Sequence, residues 1–543
     1  MSLFVRRLAG VGVSTAFVIA MGGLTGCGSS DSGCEDSLTC GSGGTGATDG
    51  GTGGSSATGG TGNTSGTSGT GGTAGDGGTC DTSKSPADES CLVDEQYGVF
   101  VDAGSTAGSP DGTRTAPYKT IADALTNAGG KKIYVCNTDG DYAEDVALTA
   151  TLDGTTLHGG FNCADWTYDT ATKAVVKGSA TPWSIDNLAV GTTVEDFDIQ
   201  AANATGDGAS SIAVAVTSSA NVVLRRLKIT AGNGAKGKDG TDGAKGTDGA
   251  DPGTSQDGKP ACTGSGGQLA GGEWSAPSGC GSNGGLGGLA KKDALADGGS
   301  GDDGTPKTSV TPPNFSNGGA GATLAGASGS AGQSGANGDA GNLGQAASAI
   351  GMFAVGSYST ADGDHGLDGH TGQGGGGGGA SKGTGTCNGA SGAAGGMGGC
   401  GGKPGTGGQG GGASVALLSW QSSITLDSCD LNAATGGVGG KGGKGGDGGA
   451  GKSGGTGGPG TGGIGGGGDG GKGGTGGPGG SGSGGSGGPS YALVWNGTAP
   501  LQNGAVNLNK GAGGAKGVGG QVVGLPKAPD GSDGDSAESY EQK

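Results

Sequence analysis

Aromatic and aliphatic side chains are scarce in this 543-residue sequence. Aromatic residues make up 4% of the chain and hydrophobic residues as a whole 30%, whereas 147 residues are glycine. An apolar core built from so few side chains must be small for this length. The composition argues against an ordinary globular enzyme, and we predict neither catalytic activity nor a cofactor.

Basic residues are fewer than acidic residues in this chain. The chain has 29 lysines and arginines against 48 aspartates and glutamates, a formal net charge of -19. Phosphate binding needs clustered cations, so nucleic acid is excluded as a partner and anionic lipid is repelled. Solvation by the surplus carboxylates is favoured over recognition of a cationic partner.

Histidine is rarer still, with only His158, His365 and His370. No Cys-X-X-Cys or Cys/His spacing typical of zinc is present. The glycine repeat has a period of three, not the nine of calcium-binding Gly-Gly-X-Gly-X-Asp units. His365 and His370, five apart in a glycine-rich loop, would form at most a weak site. We predict no bound metal.

One uncharged apolar run stands out near the N-terminus. Residues 8–23 carry no charge and follow Arg6 and Arg7, which is the profile of a signal peptide. About 16 residues are too few for a membrane-spanning helix, which needs roughly 20. The run ends in Leu24-Thr25-Gly26-Cys27, which resembles the lipobox of bacterial lipoproteins. The resemblance implies that residues 1–26 are removed and that Cys27 is acylated and anchors the protein to a membrane.

Residues 27–79 consist almost entirely of Gly, Ser, Thr, Ala and Asp, which is typical of a flexible tether. Some fifty such residues would separate anchor and body by about 40 Å on average. In lipoproteins an aspartate after the acylated cysteine often retains the protein at the inner membrane, and here that position is Gly28. We predict an outer-membrane lipoprotein exposed at the cell surface.

The twelve cysteines suit an oxidising compartment. With Cys27 acylated, ten of the others form close sequential neighbours, which we predict to be disulfide-bonded: Cys34 with Cys40, Cys80 with Cys91, Cys136 with Cys163, Cys262 with Cys280, and Cys387 with Cys400. Such bonds add stability where a small core supplies little. Cys429 is left over, at a position that the repeat described next assigns to the core.

An apolar pattern at residues 222–229 recurs in the chain. Val222, Leu224, Leu227 and Ile229 have counterparts at the same relative positions once earlier and twice later. The counterparts are Thr192, Val194, Phe197 and Ile199; Ile424, Leu426, Cys429 and Leu431; and Leu501, Asn503, Val506 and Leu508. A second apolar strand precedes every copy except the earliest. Two short strands per unit, with a polar turn between them, predict one coil of a solenoid.

These coils resemble the right-handed parallel β-helix of the pectate-lyase type. The segment around residues 99–135, with two predicted short strands and a helix at 118–128, resembles the helix-capped start of such folds. The resemblance implies an all-β fold, a solenoid with coils at residues 80–232, 413–435 and 490–525. Residues 526–543 are predicted to form an acidic polar tail.

Glycine-rich insertions interrupt the solenoid at residues 233–412 and 436–489, with glycine at every third position over long stretches. Collagen is disfavoured because it needs about 15–20% imino acids, and the whole chain has 17 prolines. Packed polyglycine helices and simple disorder remain as alternatives, because the entropy of ordering glycine nearly balances the hydrogen bonds gained. We expect that deleting residues 436–488 leaves the fold nearly intact.

The search for catalytic side chains yields three weak candidates. They are the pair Asp302 and Asp303, the cluster from Asp362 to His365, and the basic pair Arg226 and Lys228. Their order along the chain does not match the polygalacturonase pattern, and the first two lie in polar glycine-rich insertions. We therefore assign no catalytic residues.

Taken together, the lipobox, tether, coils and glycine insertions resemble the glycine-rich, PGRS-like surface lipoproteins of myxobacteria. The resemblance implies a surface location. We predict a lipid-anchored structural or adhesive protein whose partners are the membrane, through Cys27, and extracellular polysaccharide or matrix. The alternative is a secreted β-helix protein that binds or degrades polysaccharide, as a lyase or glycosidase.

Overall fold

A computed structural model describes residues 80–543 except 138–139, 252, 265–266, 275–278, 308–313, 315 and 349. The predicted signal peptide, the predicted lipidation site Cys27, the predicted tether and the predicted pair Cys34 and Cys40 lie outside the described residues. Among the residues that are described, no helix is both long enough and apolar enough to cross a membrane.

Short strands make up most of the regular structure. In chain order they are β1 (Gly98–Val101), β2 (Lys132–Cys136), β3 (Val146–Leu148), β4 (Leu157–Phe161), β5 (Ala174–Gly178), β6 (Trp183–Asp186), β7 (Thr192–Glu195), β8 (Phe197–Ala201), β9 (Ser211–Thr217), β10 (Val222–Arg225), β11 (Lys228–Thr230), β12 (Gln268–Leu269), β13 (Ala290–Lys291), β14 (Met352–Ala354), β15 (Ser357–Ser359), β16 (Ser414–Trp420), β17 (Ile424–Asp427), β18 (Asp430–Asn432), β19 (Ser490–Asn496), β20 (Leu501–Asn503), β21 (Asn507–Asn509) and β22 (Ser536–Glu541). Single-turn 3-10 helices lie at Ser90–Leu92, Ala150–Leu152 and Thr254–Gln256.

Three parallel sheets contain nearly all of these strands. One has seven strands in the order β1-β2-β4-β7-β10-β17-β20, one has six in the order β22-β19-β16-β9-β6-β3, and one has five in the order β21-β18-β11-β8-β5. Two short antiparallel pairs, β12 with β13 and β14 with β15, complete the set. The all-β class is confirmed at this level, as strands in parallel sheets with very little helix.

The only α-helix in the described part of the chain, α1 (Ile121–Asn127), lies where the sequence predicted one. The hydroxyl of its N-cap, Thr120, accepts a hydrogen bond from the N–H of Asp123 at 3.0 Å, as N-cap side chains do. Its apolar face, with Ile121 and Leu125, packs against β1 and β2. The helix therefore covers one end of the apolar core.

Each repeating unit contributes three strands rather than the predicted two. The pattern at residues 222–229 divides into β10 and β11, because the chain bends at Arg226, which has a φ of 51°. Its counterparts Asp196 and Ser428 have φ values of 63° and 56°. A left-handed conformation is costly for a non-glycine residue, so the bend must be held by other contacts.

The predicted alignment of residues 222–229 with residues 424–431 is correct. The strands pair in that register, since Val222 pairs with Ile424 and Leu224 with Leu426. The alignment with residues 501–508 is wrong for β20. Leu501 pairs with Thr425, not with Ile424, and its side chain is 60% exposed. The chain has one more residue between β20 and β21 than between β17 and β18. The inward prediction therefore holds only for Val506 and Leu508, which pack partly buried on the core.

One apolar cluster runs between the three sheets, and Cys429 belongs to it. Its thiol is unpaired and its side chain has no exposed area. Both features confirm the prediction made for this residue. Burial raises the pKa of the Cys429 thiol, which further disfavours the reactive thiolate.

Alkylation of Cys429 in the native protein should therefore be slow. We expect a maleimide reagent to label it at the rate of unfolding, and to label it at once in denaturant. Mass spectrometry of the peptide that contains Cys429 would measure both rates. Rapid labelling without denaturant would contradict the burial.

The glycine tracts are ordered and hydrogen-bonded to one another, so disorder is wrong for the described tracts. N–H groups of every third residue from Gly234 to Gly249 donate to carbonyls of residues 435 to 450, always with the same spacing. Carboxylates follow nearly the same register: Asp242 accepts the N–H of Lys444 at 2.8 Å. The tracts thus continue the register that the neighbouring strands set.

Four disulfides are present in the described residues. Cys80–Cys91 and Cys136–Cys163 join sequence neighbours, as predicted. The other two predicted pairs are wrong, because Cys262 bonds to Cys387 and Cys280 bonds to Cys400. Packing between distant glycine tracts brings those cysteines together, so their separation in the sequence does not indicate their partners.

Residues 526–543 are not a polar tail throughout. They contain β22, which pairs in parallel with β19 along its length. Tyr540 stacks on Tyr491 with ring centroids 4.8 Å apart. The mostly polar composition of this segment did not indicate that Tyr540 would stack on another ring.

Candidate functional site

A cluster of buried ionisable groups lies on the outer side of the seven-stranded sheet. His158 in β4 and Glu195 in β7 are cross-strand neighbours, and their side chains are hydrogen-bonded through Nδ1 and Oε1. Both side chains are almost fully buried. Parallel pairing of β4 with β7 places the two groups in contact although they are distant in the sequence.

Arg226 completes this cluster from the next unit. Its guanidinium donates to both carboxylate oxygens of Asp196 at 2.8 Å and to Glu195 Oε2 at 2.7 Å. The hydroxyl of Tyr168 donates to Asp196. Since Asp196 and Arg226 are the two left-handed bend residues of adjacent units, a bidentate ion pair holds both bends.

Opposing effects set the pKa of Glu195. Burial alone would raise it, but hydrogen bonds from His158 and Ser85 and the charge of Arg226 lower it from 4.5 to about 2. The unfolded glutamate protonates near 4.5, so the unfolded chain binds more protons than the folded chain between those values. The stability that this carboxylate contributes is complete above about pH 4.5 and is lost as the pH falls towards 2.

Replacing Glu195 by glutamine should remove this acid sensitivity. As the pH falls from about 4.5 towards 2, the wild type should lose unfolding free energy through Glu195 that the Glu195→Gln variant cannot lose. Urea unfolding at several pH values would measure the difference. The matched control, Glu538→Gln at an exposed position, should retain the wild-type pH dependence; an equal loss in Glu195→Gln and wild type would contradict the assignment.

The groups that the sequence offered as catalytic candidates are engaged in structural contacts or lie apart from one another. Asp303 accepts from the N–H of Asn317 and of Gly318 and pairs with Lys307 at 2.8 Å. His365 Nδ1 accepts the N–H of Gly407 at 2.8 Å. Lys228 pairs with Asp198 at 3.0 Å. No contact in the described part of the chain joins these groups into one acid–base pair.

Among the residues that the structure describes, two sets of side chains have the proximity that a metal needs. They are Cys80, Glu89 and Cys91, and Asp102, Cys136 and Cys163. In each set the two cysteines form a disulfide, so neither offers the thiolate that binds a metal. We assign no metal to them.

A second candidate lies on the glycine tracts, on what we call the polar face: the outer side of residues 238–250, 400–409 and 362–371. The middle tract is bonded to both others, since Lys403 N–H donates to Ala244 and Gly369 N–H donates to Gly402. Two depressions lie along this face, of about 640 Å³ and about 430 Å³. The larger one ends at Gly279 and Cys280.

Charged groups border both depressions, and those at the larger one are paired with one another. Lys245 bonds to Asp248 at 2.7 Å, and Lys403 bonds to Asp368 at 3.0 Å. All four side chains are between 41% and 63% exposed. The larger depression therefore offers hydrogen-bond donors and acceptors at nearly zero local charge.

Sequence reasoning missed both sites. The buried cluster had a detectable signal, because Asp196 and Arg226 occupy the same position in adjacent repeats. The polar face had none, since it joins tracts whose partners the sequence does not identify. The sequence matches no protein-family model, and no curated protein is significantly similar to it.

Proposed function

We propose that the three parallel sheets form a right-handed parallel β-helix and that the glycine tracts beside it form a bundle of polyglycine II helices. Successive units contribute β9, β10 and β11, then β16, β17 and β18, to the same three sheets in the same order. Parallel connections are nearly always right-handed. Hydrogen bonds at every third residue of the tracts fit a threefold extended helix.

We infer that this protein is a lipid-anchored structural or adhesive protein of the bacterial cell surface, of the glycine-rich myxobacterial type. The observation that carries the inference is the use of its ionisable groups. Those that are buried, such as Glu195 and Asp196, bond to neighbouring strands and units, while an extended face of paired charges meets solvent. Such a body presents a rigid surface rather than a reaction site.

The anchor is tested by Cys27→Ser. We expect the variant to leave the membrane fraction, because no other nucleophile replaces the thiol in the acyl transfer. Fractionation, mass spectrometry of the N-terminal peptide and protease treatment of intact cells would measure anchoring and surface exposure. Cys429→Ser, which changes a buried thiol, is the matched control and should stay membrane-bound.

Adhesion is tested with cells that lack the protein. They should attach more weakly to a substratum or to one another, and the wild-type gene should restore attachment while the Cys27→Ser gene should not. Equal attachment with and without the protein would overturn the proposed function. Turnover of a polysaccharide by the purified chain would instead support the enzymatic alternative.

A further inference from the structure

The polar face has the shape of a site for a linear polymer. Its two depressions follow the same three straight tracts, and equivalent residues such as Asp362 and Asp368 border one depression each. Six residues of a threefold extended chain span about 19 Å. A ligand that fills both depressions must therefore be extended and must lie along the tracts.

The electrostatics of this face favour an uncharged ligand. The pairs Lys245 with Asp248 and Lys403 with Asp368 leave no excess charge at the larger depression. Their exposed atoms still have hydrogen-bonding capacity, and Thr371 adds a hydroxyl to the lining. The carboxylates, ammonium groups and hydroxyls of the lining can accept from and donate to the hydroxyl groups of a sugar. Their zero net charge favours a neutral sugar.

Backbone hydrogen bonding on this face disfavours an extended peptide. A peptide that adds a strand needs a row of unpaired N–H and C=O groups. Here the N–H of Lys403 donates to Ala244, that of Thr241 donates to the Thr406 hydroxyl and that of Gly410 donates to Asp362. Pro404 has no N–H to offer. These three donors, which a peptide would need, are already occupied.

The site is also fixed before any ligand arrives. The Cys280–Cys400 disulfide ties the end wall of the larger depression to the middle tract. Hydrogen bonds hold that tract to its neighbours on both sides. Little backbone ordering is needed on binding, which reduces the entropic cost of association.

We propose that the polar face binds an uncharged, hydroxyl-rich polysaccharide chain along residues 238–250, 362–371 and 400–409. The proposal rests on the proposed adhesive function and names the ligand class and the surface that would serve it. The contacts are hydrogen bonds to side chains whose charges are paired, so binding should depend little on salt.

The test measures binding of the full secreted chain, released by Cys27→Ser, to immobilised polymers. Neutral dextran, mannan and arabinogalactan are compared with anionic alginate and cationic chitosan, and with a Gly-Gly-Thr repeat peptide. We expect binding to at least one neutral polymer, with less than about a threefold change when ionic strength rises to about 0.5 M. Binding that is confined to a charged polymer or to the peptide, or no binding at all, would overturn the proposal.

Two substitutions locate the site. Thr371→Trp places a large ring in the larger depression, and we expect it to weaken binding at least about tenfold. Thr456→Trp, an exposed threonine in another glycine tract, is the control and should change binding less than about twofold. Thermal melts check that both variants fold. Undiminished binding in Thr371→Trp would refute the site while leaving cell adhesion, which is measured separately, as evidence for the proposed function.

Discussion

Replacing Gly443 by alanine should destabilise the protein by about 2 to 3 kcal/mol, even though a single methyl group is added. A Cβ atom built at Gly443 would lie 2.0 Å from the carbonyl oxygen of Thr241. That atom belongs to the backbone of a neighbouring tract and cannot rotate away. The tracts would have to separate, which lengthens hydrogen bonds such as the one from Gly443 N–H to Thr406, now 2.8 Å.

Gly253→Ala is the matched control for this effect. Gly253 lies in a glycine-rich segment, has a φ of -95° that alanine tolerates, and has only Ser255 Oγ, at 3.9 Å, near a built Cβ. The substitution should be neutral or slightly stabilising, because alanine has less unfolded-state entropy to lose. Urea unfolding of both variants measures the difference. Equal stability of the two variants would mean that the tracts do not pack as closely as the structure places them.

The same contacts change what deletion of residues 436–488 should do. From the sequence, the deletion is expected to leave the fold nearly intact, on the assumption that the insertions project from the solenoid. Instead, Gly443 donates to Thr406 and accepts from Gly482, so this tract lies between others. Removing it would leave buried backbone groups without partners, and each such group costs about 1 to 3 kcal/mol.

The sequence predicted the strand register of the sheets better than the packing of the glycine tracts. The difference comes from the side chains. Val222, Leu224 and Ile229 form an apolar pattern that can be compared between units, so their register with residues 424–431 was visible. Glycine has no side chain to mark which tract it faces. The period of three left packed helices and disorder as alternatives, and the neighbours of each tract came only from the structure.

Among the disulfides and bends, too, the sequence indicated some features, and tertiary packing produced the others. Cys136 and Cys163 lie on adjacent chain segments, so nearness in sequence predicted the bond correctly. Cys280 and Cys400 meet through tract packing. The left-handed bend at Arg226 was unforeseen because arginine has no preference for that conformation, and the residues that hold it, Asp196 and Glu195, act from the preceding unit.

Replacing Leu426 by aspartate should have the largest effect of any single change, at about 4 to 5 kcal/mol or a failure to fold. Leu426 has no exposed area, pairs with Leu224 in the neighbouring strand and lies in the core cluster between the sheets. A carboxylate there would lose its hydration without gaining a partner. Protonation would relieve part of this penalty, so the variant should recover some stability at low pH.

Thr425→Asp is the matched control for Leu426→Asp. Thr425 precedes Leu426 in the same strand, and its side chain is only partly buried, on the opposite face of the sheet. The added carboxylate would remain hydrated there, so we expect a change within about 1 kcal/mol. Thermal and urea unfolding of both variants measure the contrast. If Leu426→Asp were tolerated while Gly443→Ala collapsed the protein, the glycine bundle would be the main scaffold, and the apolar core between the sheets would depend on it rather than support it.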